Sequence, residues 1–160
     1  DFPDSLEYLK AGRNMIILRT FSKLYGLAGL RIGYGITNSI FVSNMDKARQ
    51  PFNVNSLAQI AALAAIDDER HLNRSKKTNK IGMKFLTQEF KRLKLDYIPS
   101  HANFILAHVN KNADDVFNEL LKKGIIIRSM KGFGLPKSIR VTIGTEKQNK
   151  RFIEALWETL

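Results

Sequence analysis

The chain has 160 residues, 44% of them apolar and 26% charged, a globular balance that excludes a disordered or fibrous protein. It has no cysteine, which excludes a disulfide framework and a thiolate metal site and suits a reducing, cytoplasmic compartment. Its 26 Lys and Arg against 15 Asp and Glu give a net charge of +11, favouring anionic partners, and no apolar run approaches the roughly 20 residues that span a bilayer.

Asp1-Phe2-Pro3-Asp4 carries no initiator Met, basic region or apolar region, so no signal peptide is expected, and so abrupt a start suggests a fragment. Residues 4–11 read as a short helix capped by Asp4 or Ser5 and stopped at Gly12. Met15 to Phe21 is a continuous apolar run closing on polar residues, the pattern of a buried parallel strand. A loop with Gly26 and Gly29 leads to a second strand over 31–36. Residues 56–66 are apolar nearly all round, which predicts a helix buried on several sides by neighbours in a missing part of the protein or in a partner subunit.

Composition turns strongly basic over 70–77, where a lobe boundary is expected. A helix over about 76–93 turns Ile81, Phe85, Leu86, Phe90 and Leu93 to one side. Lys76, Lys77, Lys80, Lys84, Lys91, Arg92 and Lys94 then form its wet face. Without an RNP motif, GXXG loop or zinc finger, they make a poor nucleic-acid stripe. A basic non-catalytic nucleic-acid module is the rival reading, marked by steeply salt-dependent DNA retention. Strands are expected over 104–109, 125–128 and 138–143. Between the first two lies a helix, 113–123, that buries Val116, Phe117, Leu120 and Leu121 and stops at Gly124. Thr145 and Gln148 form a capping box opening a last helix that buries Phe152, Ile153, Leu156, Trp157 and Leu160. This order makes an α/β chain in two pieces. His71, His101 and His108 lack metal-ligand spacing, so no metal site is expected, and Asp67-Asp68-Glu69 reads as a helix end.

The stretch Arg19-Thr20-Phe21-Ser22-Lys23-Leu24-Tyr25-Gly26-Leu27-Ala28-Gly29-Leu30-Arg31-Ile32-Gly33-Tyr34 gathers two hydroxyls, a lysine, glycines and an arginine after a strand. A half-buried lysine is costly as an ammonium and therefore useful as a neutral amine that attacks a carbonyl. Thr20 and Ser22, two apart in extended backbone, would project alike and donate to one anion. Arg31 adds a fork suited to phosphate. Together these describe a site for a phosphorylated aldehyde. The lysine precedes the glycines, so this is no Walker loop.

The stretch closely resembles the lysine signature of fold-type I pyridoxal-phosphate (PLP) aminotransferases, and its Arg-Thr-Phe-Ser-Lys lead-in is similar to the histidinol-phosphate aminotransferase branch. Residues 51–56, 99–104 and 138–145 resemble further segments of that family. The resemblance implies the C-terminal part of the large PLP domain over 1–75 and the small α/β C-terminal domain over 76–160. It implies pyridoxal 5'-phosphate as cofactor, with Lys23 condensing with its aldehyde, Ser22 and Arg31 holding its phosphate, and Thr20 assisting. Asn103, Arg128 and Arg140 would meet substrate, the arginines taking the phosphate of histidinol phosphate or a carboxylate of glutamate or 2-oxoglutarate. The intact enzyme would be a homodimer, without nucleic-acid or membrane partners. An aromatic aminotransferase or a threonine-phosphate decarboxylase could share the signature; the latter would release carbon dioxide. The family's pyridine-pairing Asp, a Tyr, a stacking aromatic and an Asn-rich loop lie upstream of its lysine and are not found here. Asp1 and Asp4 are poor substitutes, so the chain alone is expected to bind PLP weakly.

Overall fold

Asp4 turns the backbone into the first helix, its carboxylate accepting from the Leu6 amide at 3.0 Å to cap α1 (Ser5–Lys10). Gly12, at φ +76°, ends it as expected. The computed structural model describes residues 3–160; the assessment of Asp1 as a cofactor partner lies outside them. The chain divides into two compact units, residues 1–72 and 73–160.

In the first unit β1 (Ile17–Thr20) pairs with β2 (Gly33–Ile36), Ile17 opposite Ile36 and Thr20 opposite Gly33. The pairing between these two strands is antiparallel. The intervening segment holds only turns and a 3-10 turn at Ala28–Leu30, with no helix to carry a crossover. Within this chain Ile17 of β1 is covered and Leu18 is 72% exposed. At position 33 a Cβ would stand 2.7 Å from the Arg19 carbonyl, so this close crossing requires glycine.

Two helices follow. α2 (Ser39–Ala48), absent from the sequence expectations, is capped by Asn38 through the Phe41 amide at 3.0 Å. α3 (Ser56–Ile66) is capped by Asn55 through the Ala58 amide at 2.9 Å. Within this chain Ala58 and Ala62 are buried, and Leu57, Ile60 and Leu63 are exposed. Small side chains face the unit, and the large ones point away from it.

α4 (Glu69–Arg92) runs unbroken through the change of composition at 70–77 and starts earlier than expected. In the second unit it packs Leu86 and Phe90 into the core, while Ile81 stays exposed. The unit's sheet has the order β3-β4-β6-β5, from β3 (Tyr97–Ile98), β4 (Phe104–His108), β5 (Arg128–Ser129) and β6 (Ser138–Thr142), all antiparallel. α5 (Ala113–Lys122) and α6 (Glu146–Thr159) complete it. Strand alternation sorts the side chains. Ile105, Ala107, Ile139 and Val141 join the core with Val116 and Leu120 of α5 and Phe152, Ile153 and Leu156 of α6. Phe104, Leu106 and Arg140 occupy the opposite face, where Leu106 stands opposite Arg140.

Three details depart from expectation. β5 begins at Arg128 rather than Ile125, because the Ile125 amide donates to the Leu120 carbonyl at 2.9 Å to finish α5 and draws the chain off the sheet edge. Leu121 and Trp157 are 44% and 65% exposed, since each helix buries a stripe narrower than its apolar residues. The Thr145–Gln148 capping box forms as read. Gly82 is buried mid-helix, where a Cβ would meet Ile143 at 2.5 Å and Asn149 at 2.7 Å. Asn149 in turn clamps Gly144 through both its backbone amide and its carbonyl. Among the described residues no helix is long and apolar enough to cross a membrane.

Candidate active site

The loop after β1 is built around Phe21, a buried ring 4.7 Å from Tyr25 and 5.8 Å from Tyr34 between centroids. The Phe21 amide donates to Ile32 at 3.2 Å and its carbonyl accepts from Leu27 at 2.9 Å, so both edges of the loop are tied to one residue. The Gly26 amide closes a turn on the Lys23 carbonyl at 3.0 Å, with Gly26 at φ +75°.

This frame brings Arg31 back to Ser22. Arg31 takes a left-handed backbone, φ +52°, and its Nη1 donates to the Ala28 carbonyl at 2.7 Å and to Ser22 Oγ at 3.4 Å. Among the described residues no carboxylate forms an ion pair with Arg31. Thr20 behaves differently from expectation: its hydroxyl oxygen accepts from the Ser22 amide at 3.0 Å. The strand stops at Thr20, so the two-residue spacing no longer places both hydroxyls alike. Lys23 is exposed rather than half-buried, at the rim of the turn. A residue that sequence reading passed over also enters here. His71 Nε2 lies 3.1 Å from the Leu24 carbonyl and donates to it as the Nε2–H tautomer, holding the residue next to Lys23.

The second unit presents a different cluster. Arg128 of β5 stands directly opposite Arg140 of β6. The Arg140 guanidinium carbon lies 5.0 Å from the Phe104 ring centroid, and that of Arg128 5.4 Å from Phe133. Like charges facing across a strand pair are unfavourable, and among the described residues neither arginine has an acidic partner to offset this. Such a pair suits an anion. Asn103 lies at the entry to β4, its carbonyl accepting from the Ile143 amide at 2.9 Å.

On the reverse face sits a group that local pattern could not reveal. Ser129 Oγ donates to Asp114 Oδ1 at 2.6 Å and Lys131 Nζ donates to Asp114 Oδ2 at 2.8 Å. The Lys131 bond first, and then the Ser129 bond, hold the Asp114 carboxyl below its ordinary pKa, and the same ion pair raises Lys131.

Known proteins share this arrangement of chain. A histidinol-phosphate aminotransferase of Nitrosococcus oceani is 52% identical over 155 residues, 97% of this chain and 42% of that protein. The crystal structure of histidinol-phosphate aminotransferase from Clostridium acetobutylicum superimposes with a TM-score of 0.88 at 29% identity, covering 96% of this chain and 48% of that one. The enzyme from Sinorhizobium meliloti, solved in complex with pyridoxal-5'-phosphate, gives a TM-score of 0.81 at 29% identity over 90% of this chain and 40% of its own. The chain thus spans less than half the length of these relatives and has the α/β fold of fold-type I aminotransferases over the part they share. The sequence pattern of the aminotransferase class I and II proteins matches residues 2–156, nearly end to end, and the chain belongs to that family.

Proposed function

We propose that this chain carries the cofactor lysine and the substrate-anion arginines of a PLP-dependent histidinol-phosphate aminotransferase, with residues 1–75 in its large domain and 76–160 in its small one. The carrying observation is the reach of Arg31 Nη1 to Ser22 Oγ, 3.4 Å, one residue from Lys23, with no carboxylate paired to the guanidinium among the described residues. The donor set fits a phosphorylated aldehyde. Ser22 Oγ accepts from Arg31 and Thr20 Oγ1 accepts from an amide, so each hydroxyl keeps its own proton to donate to phosphate. Arg31 adds a charge-assisted donor. Lys23, exposed and adjacent, supplies the amine.

When bound, pyridoxal 5'-phosphate supplies a conjugated ring that takes up the negative charge left at the substrate carbon. Lys23 Nζ would hold the aldehyde end, and as a free amine it would move the proton from the substrate's Cα. His71 keeps the Leu24 carbonyl in place and so limits where Lys23 starts from. Arg128 and Arg140, facing each other on β5 and β6, receive the phosphate of histidinol phosphate or a carboxylate of glutamate or 2-oxoglutarate, with Asn103 nearby in sequence to the stacking Phe104. Family resemblance supports a homodimer and a cytoplasmic place for the intact enzyme.

The test is covalent trapping. With saturating PLP and borohydride, peptide mapping should find the label at Lys23. At PLP concentrations well below saturation, Arg31→Ala should lower the yield roughly tenfold, as befits loss of a charged hydrogen bond. Label spread over many lysines without preference for Lys23 would overturn the assignment. In the full-length protein, amino transfer to 2-oxoglutarate is expected, and carbon dioxide release in its place would point to a decarboxylase.

A further inference from the structure

Arg128 belongs to a two-residue edge strand, its charge opposes Arg140 directly, and the segment before it leaves the sheet to finish α5. Left to these forces the strand would swing outward. Beside the short ladder to β6, a further hold lies on the other face of the sheet, where Ser129, the next residue, projects by strand alternation. Its hydroxyl is 2.6 Å from Asp114 Oδ1 in the first turn of α5, and the other carboxylate oxygen takes Lys131 Nζ at 2.8 Å. Lys131 opens the 3-10 turn Lys131–Phe133, and that turn ends in the ring against which the Arg128 guanidinium rests. The Lys131 amide also donates to Ser129 Oγ at 3.3 Å, joining the two arms. One carboxylate therefore fixes both the backbone that carries Arg128 and the aromatic that flanks it. Asp114 is itself steadied, because Asn112 caps its amide at 2.9 Å.

We propose that Asp114 is a positioning residue for anion recognition: through Ser129 and Lys131 it holds Arg128 in register opposite Arg140 and against Phe133. The proposal rests on the reading that these two arginines receive a substrate anion. Asp114 touches no substrate, and its ion pair with Lys131 is exposed, so its worth to global stability is small. Its effect is on where a guanidinium stands.

The experiment uses the 160-residue chain with inorganic phosphate as probe, read by the side-chain Nε–Hε resonances of Arg128 and Arg140. In the unsubstituted chain Arg128 should show a ring-current shift from Phe133, and both resonances should move on titration. Asp114→Ala should abolish that ring-current shift, speed exchange of the Met130 amide that donates to Ser138 at 3.0 Å, and weaken phosphate about three- to tenfold. Ser129→Ala should do the same in smaller measure. Glu119→Gln, which breaks a different exposed ion pair of α5, should leave all three readouts unchanged. If Asp114→Ala keeps the Arg128 ring-current shift, or keeps phosphate affinity where the parent binds, the positioning role is refuted. If the parent binds no phosphate while Asp114→Ala still frees Arg128, the anion reading falls and the positioning of Arg128 stands. A variant unfolded altogether would refute the local role, and Lys131→Met, which spares the Ser129 bond, then reads the Phe133 arm alone.

Discussion

The two units hold their residues by different means. In the second, Leu86, Phe90, Ile105, Leu120, Ile139 and Leu156 are fully buried and touch as one core between a sheet face and three helices. In the first, the buried apolar side chains among the described residues are Ile17, Phe21, Ala58 and Ala62, and Lys23 lies in a loop of turns that follows one strand of a two-stranded ribbon. A core stabilises by area removed from water, whereas a turn network stabilises by a few directed bonds of about 1 kcal/mol each. Within this chain the loop holding Lys23 is tied by hydrogen bonds at Phe21 and His71 around one buried ring.

The largest effect that could break this contrast is a cavity. Phe90→Ala should cost about 3–5 kcal/mol in denaturant melts followed on the second unit. Ile17→Ala in the first unit should cost about 2 kcal/mol or less, because only one face of that ribbon is covered. Equal losses would show that the first unit has a core of comparable weight. A smaller effect sharpens the role of local bonding in the second unit. Thr145→Ala removes the half of the capping box in which the Gln148 amide donates to the threonine hydroxyl, and should cost about 1 kcal/mol, with fraying of α6 seen by amide exchange confined to its first turn.

The smallest effect is one of pH. Asp114 is held below its ordinary value of 3.8, chiefly by the Lys131 bond, so the stability it lends is complete above 3.8 and disappears as pH falls through the lower folded value. Lys131 is raised above 10.5, so its share is complete below 10.5 and is lost as pH rises through the higher folded value. The Tm difference between the parent chain and Lys131→Met should therefore be flat through neutrality and shrink only at the two extremes. A difference that varied between pH 5 and 8 would mean another group governs that corner.

Much of this was legible from residues because the signals are local. Asp4 and Gly12 bound α1, Gly124 stops α5, and Thr145 with Gln148 opens α6, each through bonds within a few positions. Strand partners are non-local, so the apolar run at 15–21 marks a strand without naming the partner that β2 provides, antiparallel, from twelve residues on. α2 gives no local signal, because its cap, Asn38, follows a strand with no break in composition. At the candidate site, Ser22, Lys23 and Arg31 were readable from their spacing and resemblance, and the fold does bring Arg31 to Ser22. The expected projection of Thr20 and the half-burial of Lys23 depended on how far β1 extends and what covers it. Asp114 and Ser129 are fifteen positions apart, and His71 and Leu24 forty-seven, distances at which sequence pattern says nothing about touch.

Gly82 sets a limit on how this chain can be altered. Glycine in mid-helix ordinarily costs up to about 1 kcal/mol against alanine, and a designer would exchange it at once. Here the added methyl would strike Ile143 and the amide nitrogen with which Asn149 grips Gly144. The missing atom is what lets the longest helix lie flush on the hinge of backbone between β6 and α6. Helical preference has been surrendered at one position so that three elements can share a single point, and a lineage that filled the gap would have to rebuild all three together.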